Sequence, residues 1–459
     1  MEIRTLHLIQ GNNIHISYNT QNMDLSVVSP NVFRSLQMMQ HGYKFNQVTS
    51  VMNLNENETS LLKQTIEDLI SPNLKVKTTP VNIRPKYIDR ITLHVSNDCN
   101  LRCKYCYAEG GAYKQKRNLM SIEDANYFID FCCKSFNNVK YVVFFGGEPM
   151  LNIPIMEHIC KIFKQKYDNK NCSFFPKFGI ITNGTILNDR IIDFVREYIS
   201  FITVSIDGPQ KINDANRIFP DGRGSYIKIQ KFIKRMKQET NVHIRFEATY
   251  TQEHINKKYT QGDIESFLNK EFGIEGDVVE ELSIQKQINS TFGKNFDYNV
   301  WKQKTHLSFP DGFWSILAAI KNKRTKTMCE IGYKTFSIAT NGDIYPCHMN
   351  NGETNNCIGN IKGNNIFSNP ESYTNFCIKN LKDNNECKTC WASKICGGCS
   401  HSWFYNQKTK RYEETPNKEL CRKNREHIER VLLLIALCRI DSIIWNKLLN
   451  KNDSVNQQL

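Results

Sequence analysis

No stretch of this chain approaches the roughly 18 consecutive apolar residues that would span a bilayer. The longest apolar run near its end, Val431–Cys438, is short and lies between Arg430 and Arg439. The first residues, Met1-Glu2-Ile3-Arg4, lack the basic start and apolar stretch of a secretory signal. There is no Arg-rich block and no Gly/aromatic RNA-binding motif. A disulfide framework is missing too. The 17 cysteines are an odd number and are bunched, three within Cys99–Cys106 and four within Cys387–Cys399. These absences exclude an integral membrane protein and argue against secretion. They predict a cytoplasmic protein with no membrane or nucleic-acid partner, in which clustered cysteines hold metal or iron–sulfur groups.

What is present is enough apolar surface for a core, 40% of 459 residues, and a length that allows about two to four domains. The net charge of +14 suits a solubilising surface as well as it suits an anionic partner, so it selects neither. Residues 1–80 read as a small separate module. Three short strand-like runs, Thr5–Gln10, Asn13–Tyr18 and Asp24–Val28, precede helices at Asn31–His41 and Glu58–Ile70, with a helical turn at Asn46–Met52 between them. Three strands then helices is a winged-helix-like order. Six Lys/Arg balance six Asp/Glu there, which favours a peptide over DNA as its ligand. A linker, Ser71–Lys86, carries Pro72, Pro80 and Pro85.

From 87 to 286 strands and helices alternate. Strands are expected at Ile91–Val95, Tyr141–Phe145, Phe178–Thr182, Phe201–Ser205, His243–Ala248 and Leu282–Ile284, with helices such as Ile122–Phe136, Met156–Tyr167 and Ile227–Gln238 between them. This alternation predicts a parallel sheet with crossover helices, an α/β fold. Spacing alone does not choose between a partial barrel and an open sheet. Residues 287–328 form a connector with a helix at Phe313–Ile320. Residues 329–425 are rich in Cys, Asn and Gly and are expected to need metal to fold. The 426–459 segment holds a terminal helix, part of Arg422–Leu449, expected to cover the barrel, and a polar tail. Cys132, Cys133, Cys160, Cys172 and Cys438 read as buried core residues.

The sharpest signal is Cys99-Asn-Leu-Arg-Cys103-Lys-Tyr-Cys106, directly after the first strand of the alternating region. Three thiolates on one loop hold three irons of a four-iron cluster and leave the fourth open. A zinc site would want a fourth ligand, and no C-x2-C partner follows in the next twenty residues. With Tyr105 before the last cysteine, the spacing resembles the radical S-adenosylmethionine (radical SAM) superfamily. Further motifs fit it in order: Phe145-Gly146-Gly147-Glu148-Pro149, Thr182-Asn183-Gly184-Thr185, Ser205-Ile206-Asp207-Gly208 and Arg217. The resemblance implies a partial (β/α)6 barrel and S-adenosylmethionine as cofactor. It also implies cofactor contacts from Tyr105, Gly146, Gly147, Glu148, Ser205 and Arg217, with Glu148 pairing the methionine ammonium.

The C-terminal region is similar to the SPASM extension of radical SAM peptide maturases. Cys329, Gly342 and Cys347 fit its C-x(9–15)-G-x4-C opening, with a hairpin turn at Asn341-Gly342-Asp343, and Cys387, Cys390, Cys396, Cys399 and Cys421 complete the set. The resemblance implies two auxiliary clusters and so three [4Fe-4S] clusters in all. Cys329, Cys347 and Cys399 hold one, with an open iron unless Cys357 or Cys377 closes it. Cys387, Cys390, Cys396 and Cys421 hold the other. One residue fewer than usual separates Cys396 from Cys399.

The implied function is modification of a ribosomally made precursor peptide, most like the maturases that form Cys thioethers. Residues 1–80 would bind the leader, and a flavodoxin- or ferredoxin-type protein would donate electrons. Two other chemistries stay open, a formylglycine-forming sulfatase-type maturase and a carbon–carbon cross-linking one. In the sulfatase type an Asp follows the cysteine matching Cys347, whereas here the residue is His348. A metal-stabilised DNA-binding regulator is the alternative from a different class.

Overall fold

The structure is a computed structural model that describes residues 3–11, 14–71, 86–281, 297–303, 309–310, 312–325, 331–332, 334–363, 384–397, 403–406, 408–409, 411–446 and 448. The first 71 residues follow the expected order. Strands β1 (Leu6–Gln10), β2 (His15–Asn19) and β3 (Leu25–Val28) form an antiparallel sheet with β2 in the middle. Helices α1 (Pro30–Gln40), α2 (Phe45–Val51) and α3 (Glu56–Ile70) follow. Ser29 caps α1 by accepting from Val32 N, and Pro30 sits in the first turn, where its missing N–H costs nothing.

The alternating region builds six parallel strands. They are β4 (Tyr87–Ser96), β5 (Asn138–Gly146), β6 (Lys177–Thr182), β7 (Ile199–Ser205), β8 (His243–Tyr250) and β9 (Glu275–Glu280). The helices α4 (Ile122–Ser135), α5 (Ile153–Asp168), α6 (Asp189–Tyr198), α7 (Gln210–Asn216), α8 (Tyr226–Glu239), α9 (Gln252–Asn256) and α10 (Gln261–Phe272) lie between them in sequence. The strand at Glu275–Glu280 was not expected, and the expected Leu282–Ile284 lies outside the described residues. β10 (Thr335–Ile338) joins the same sheet parallel to β4, and β11 (Asp343–Tyr345) and β12 (Gly359–Asn360) extend it antiparallel, in the order β12-β11-β10-β4-β5-β6-β7-β8-β9. The Cys-rich region is therefore continuous with the large sheet.

Strand alternation decides what each face does. Ile91, Leu93, Val142, Phe144, Ile180, Ile202, Val204 and Phe246 pack in one core with Phe128, Ile159, Phe163 and Phe232 of the helices. Burying such a side chain contributes about 1.5–3 kcal/mol. Exposed ion pairs such as Arg190–Glu157 contribute about 0–1 kcal/mol, so the apolar layer holds the fold. The alternate positions, among them His94, Phe145, Thr203, Ser205 and Glu247, point to the opposite face.

A second core contradicts one expectation. Among the described residues the long terminal helix α12 (Lys418–Ile440), capped by Asn417, packs not on the parallel sheet but in a separate core with helix α11 (Phe313–Asn322). Val431, Leu432 and Ile435 of α12 pack with Ile316 and Leu317 of α11 and with Ile9, Ile16 and Tyr18 of the N-terminal sheet. Arg439 Nη1 donates to Leu25 O at 3.1 Å, and His7 Nε2 lies 2.8 Å from Glu429. The first 71 residues keep a small core of their own around Leu36, Leu62 and Ile66, yet one face of their sheet is shared with the C-terminal helix. Cys132, Cys160, Cys172 and Cys438 are buried as expected and Cys133 is partly buried against the same core, while Cys133 and Cys172 are also joined as a disulfide. Among the described residues no helix is long and apolar enough to cross a membrane.

Candidate functional site

β4 ends at Ser96, and the chain turns into the loop that carries Cys99, Cys103 and Cys106. Its backbone is tied to the segment after α7: Arg102 N donates to Ile218 O at 2.7 Å and Lys104 N to Asn216 O at 3.0 Å. All three sulfurs are free and half-buried. N–H groups point at two of them. Leu101 N and Asn183 Nδ2 lie 3.4 and 3.6 Å from Cys99 Sγ, and Gly110 N lies 3.4 Å from Cys106 Sγ. Burial pushes the Cys99 thiol up to about 12, with the Glu148 charge adding to it. Burial pushes Cys103 up to about 11, against the pull of Arg217 and with the push of Asp207. Sulfurs that receive N–H donors but are disfavoured as bare thiolates fit a bound metal, whose charge offsets the desolvation. Among the described residues no three Cys, His, Asp or Glu side chains converge on one metal ion. A lone zinc needs that convergence; a four-iron cluster, with each thiolate on its own iron, does not.

The Gly146-Gly147 pair ends β5 against this loop. Gly146 has φ +142°, and a Cβ there would lie 2.1 Å from Ser96 O; one on Gly147 would lie 2.2 Å from Asp98 O. The close approach these glycines permit is thus to the backbone of the cysteine loop itself. Gly147 N and Glu148 N donate to Ser96 O and Asp98 O at 2.9 and 2.8 Å. Glu148 is fully buried and accepts from Thr182 Oγ1 (2.7 Å), Asn183 N (2.8 Å) and Met150 N (3.0 Å). Burial pushes its carboxyl up to about 7 despite these donors. A buried carboxylate with hydrogen bonds but no ion pair among the described residues fits the ammonium of an amino-acid cofactor.

Arg217 and Tyr105 meet at a residue to which the sequence assigned no role. Asp207, fully buried two residues beyond β7, accepts from Arg217 Nε at 3.0 Å and from the Tyr105 hydroxyl at 2.8 and 3.0 Å. The Arg217 guanidinium lies 5.5 Å from the Tyr105 ring centre. Ser205 is paired in register with Glu247 of β8, on the sheet face away from the helices.

Two further groups of cysteines follow. Cys387, Cys390, Cys396 and Cys421 line one cavity, together with Trp403 and Asn424. Asn424 Nδ2 lies 3.7 Å from Cys396 Sγ. Cys347 is half-buried just beyond β11, whereas Cys329, Cys399 and Cys377, and with them the expected meeting of Cys329 with Cys347, lie outside the described residues. The Cys357 thiol donates to Gly359 O at 3.1 Å. Tyr107 connects the first and third groups. It directly follows Cys106 and is partly exposed, and its ring sits 6.5 Å from the ring of His348, the residue after Cys347. Sequence reasoning missed Tyr107, Asp207 and the donors Thr182 and Asn183. The last three lay inside quoted motifs, and only their contacts reveal what they do.

Comparison with known proteins bears on this arrangement. Residues 93–251 match the family described as the Radical SAM superfamily, and residues 329–391 match SPASM, an iron-sulfur cluster-binding domain. The radical SAM cyclopropyl synthase TigE of Paramaledivibacter caminithermalis is 25% identical over 342 residues, which cover 68% of this chain and 67% of that one. A cysteine-type anaerobic sulfatase-maturating enzyme of Clostridium novyi is 27% identical over 285 residues, 57% of this chain and 74% of that one. The solved structure of native anSMEcpe with bound AdoMet and Cp18Cys peptide superposes with a TM-score of 0.58 at 19% identity, covering 76% of this chain and 99% of that one, which shows a shared fold.

Proposed function

This chain belongs to the radical SAM superfamily and carries a SPASM iron–sulfur domain, and from that premise we propose that it matures a ribosomally made precursor peptide by joining a cysteine sulfur to a carbon of another residue. It is an enzyme that uses S-adenosylmethionine with a [4Fe-4S] cluster, and its SPASM domain binds further iron–sulfur clusters. The six parallel strands are read as a partial (β/α)6 barrel and residues 1–80 as a winged-helix-like leader-binding module. The observation that carries the reading is the position of Tyr107. Tyr107 ends the loop proposed to bear the first cluster, and its ring lies 6.5 Å from the ring of His348, which follows Cys347, proposed to bear an auxiliary one.

In this reading Cys99, Cys103 and Cys106 hold the first cluster. Cys329, Cys347 and Cys399 hold the nearer auxiliary cluster, and Cys387, Cys390, Cys396 and Cys421 the farther one. Glu148 receives the cofactor ammonium, Arg217 its carboxylate and Ser205 its ribose, while Gly146 and Gly147 keep the cofactor strand against the cluster loop. When bound, these groups supply an acceptor for one hydrogen atom and an acceptor for one electron, so that one C–H and one S–H become one C–S bond with loss of two hydrogens. The chain's own part is to orient the peptide between Tyr107, Phe145 and His348 and to keep water away. His348, next to Cys347 in the chain, is the acceptor we assign to the proton of the substrate thiol. A flavodoxin- or ferredoxin-type donor supplies the starting electron.

Reaction of reconstituted enzyme with a Cys-containing precursor, reductant and S-adenosylmethionine is expected to lower the precursor mass by two hydrogens per bond. Changing every precursor cysteine to alanine abolishes that loss. Persistence of the loss in the Cys-free precursor defeats the thioether reading in favour of carbon–carbon linkage, which the likeness to a cyclopropyl synthase favours as second reading. An aldehyde at cysteine points instead to formylglycine formation.

Leader binding follows the same logic. β1 and β3 are the edges of the N-terminal sheet, and Val27 on β3 is 48% exposed. An extended peptide adds to such an edge through main-chain hydrogen bonds. Because Val27 is exposed, Val27→Glu leaves the fold intact, and it is expected to raise the precursor Kd roughly tenfold. Unchanged affinity moves the leader off β3.

A further inference from the structure

We propose that Asp207 is a positioning residue that locks the loop of the first cluster to the cofactor-facing Arg217 and balances the charge beside Cys103. This rests on the reading of Cys99, Cys103 and Cys106 as cluster ligands and of Arg217 as the carboxylate anchor.

The geometry joins four elements at one carboxylate. Tyr105, between Cys103 and Cys106, donates its hydroxyl to both Asp207 oxygens. Arg217, at the end of α7, donates Nε at 3.0 Å, and Thr249 of β8 donates its backbone N–H at 3.1 Å. The Asp207 backbone is held as well. Its N–H donates to Asn213 Oδ1 at 3.3 Å, and its carbonyl accepts from His254 Nε2 at 2.8 Å. His254 is oriented for this, because its Nδ1 accepts from Thr251 N at 3.0 Å and so leaves the ring proton on Nε2. Asp207 is fully buried and Arg217 nearly so, so no water competes for these bonds.

Only an ionised carboxylate satisfies this set. It offers about four acceptor sites and no donor, enough for the three donor groups that surround it. An amide of the same shape offers one oxygen and sets an NH2 against a donor. With Nε engaged by Asp207, the Arg217 terminal nitrogens have no hydrogen-bond partner among the described residues. That leaves the bidentate end of the guanidinium for a carboxylate ligand.

Charge supplies the second half of the argument. Arg217 and Asp207 form a buried ion pair at 3.0 Å, held against Tyr105, two residues from Cys103. As a pair their charges offset one another; singly, each is a buried uncompensated charge. Removing the anion makes the first cluster easier to reduce, and removing the cation makes it harder. Both changes weaken the hold on S-adenosylmethionine.

The test uses reconstituted full-length holoenzyme. The first cluster's signal is identified as the EPR component absent from the Cys99/Cys103/Cys106→Ala protein. Its midpoint potential is read by EPR-monitored titration, and S-adenosylmethionine affinity by equilibrium dialysis of labelled cofactor. Asp207→Asn is expected to raise the potential and weaken cofactor binding at least roughly tenfold. Arg217→Gln is expected to lower the potential and weaken binding as well. The double variant returns the potential toward wild type without restoring affinity. A merely structural role moves both potentials the same way, and that result overturns the proposal, as does wild-type affinity in Asp207→Asn. Should Asp207→Asn fail to fold, Tyr105→Phe keeps the ion pair and removes only the tether. It is expected to weaken cofactor binding and alter the cofactor-induced change in the first cluster's EPR signal, and no change in either overturns the proposal. A wild-type protein that takes up no cluster or binds no cofactor defeats the functional reading, a different failure.

Discussion

Replacing Cys99, Cys103 and Cys106 together with alanine is expected to abolish cleavage of S-adenosylmethionine and to lower bound iron from about twelve atoms to about eight. The three sulfurs sit on one loop, and the N–H donors of Leu101, Asn183 and Gly110 already point at two of them. Asn183 links this loop to Glu148, donating its backbone N–H to the carboxylate at 2.8 Å and its Nδ2 to Cys99 Sγ at 3.6 Å. The fold should survive, because the loop is anchored by Arg102, Lys104, Gly147 and Glu148 through backbone hydrogen bonds that do not involve sulfur. Iron analysis and chromatographic assay of 5′-deoxyadenosine check the result. Undiminished 5′-deoxyadenosine from the triple variant would mean that the first cluster lies elsewhere.

Cys390→Ala with Cys421→Ala is expected to remove about four irons and also to loosen the N-terminal sheet, which lies hundreds of residues away in sequence. The loop from Cys387 to Cys396 has one short helix, Asn385–Lys388, followed by tight turns such as Ser393 N to Cys390 O and Cys396 N to Ala392 O. Its side chains form part of the second core. Trp391 stacks on His7 with ring centres 3.7 Å apart and planes 8° off parallel. Ala392 and Ile395 are buried with Ile9 and Ile16. Lys394 Nζ donates to Gln21 O. A group bound by four cysteines is the cross-link that keeps these contacts in register. Loss of a cross-link from a small module costs about 2–5 kcal/mol. Hydrogen exchange should therefore rise across β1–β3 as well as in the loop, and chelation of the farther auxiliary iron should mimic the substitutions. Unchanged exchange in β1–β3 alongside lost iron would show that the N-terminal sheet stands without the cluster.

Much of the site is legible as local pattern. Thiolate spacing on a loop after a strand, a Gly-Gly-Glu after the next strand and an Arg beyond a Ser-x-Asp-Gly are short-range features, and each sits where the strand order puts it. Hydrophobic alternation with period 2 likewise located five of the six parallel strands to within a few residues. The expected run Leu282–Ile284 lies outside the described residues, and the strand Glu275–Glu280 went unread because it carries Glu275, Asp277 and Glu280 and reads as polar. It is a strand because β8 pairs with it from Arg245 to Tyr250.

What the amino-acid sequence determined by itself is the chemistry: which sulfurs are grouped, which carboxylate and cation accompany them, and the alternation that makes an α/β sheet. Those depend on spacing along a few residues. What only the tertiary structure decided is who meets whom across the chain. The apolar stripe of α12 says that one face must be buried, but the period of a helix carries no information about its partner. Contacts such as Arg439 with Leu25 and Glu429 with His7 decide that partner to be the N-terminal sheet. In the same way, Asp207 is one residue of a motif until Tyr105, Arg217 and Thr249 converge on it. A buried carboxylate is defined by the donors around it, and those donors come from segments that only folding brings together.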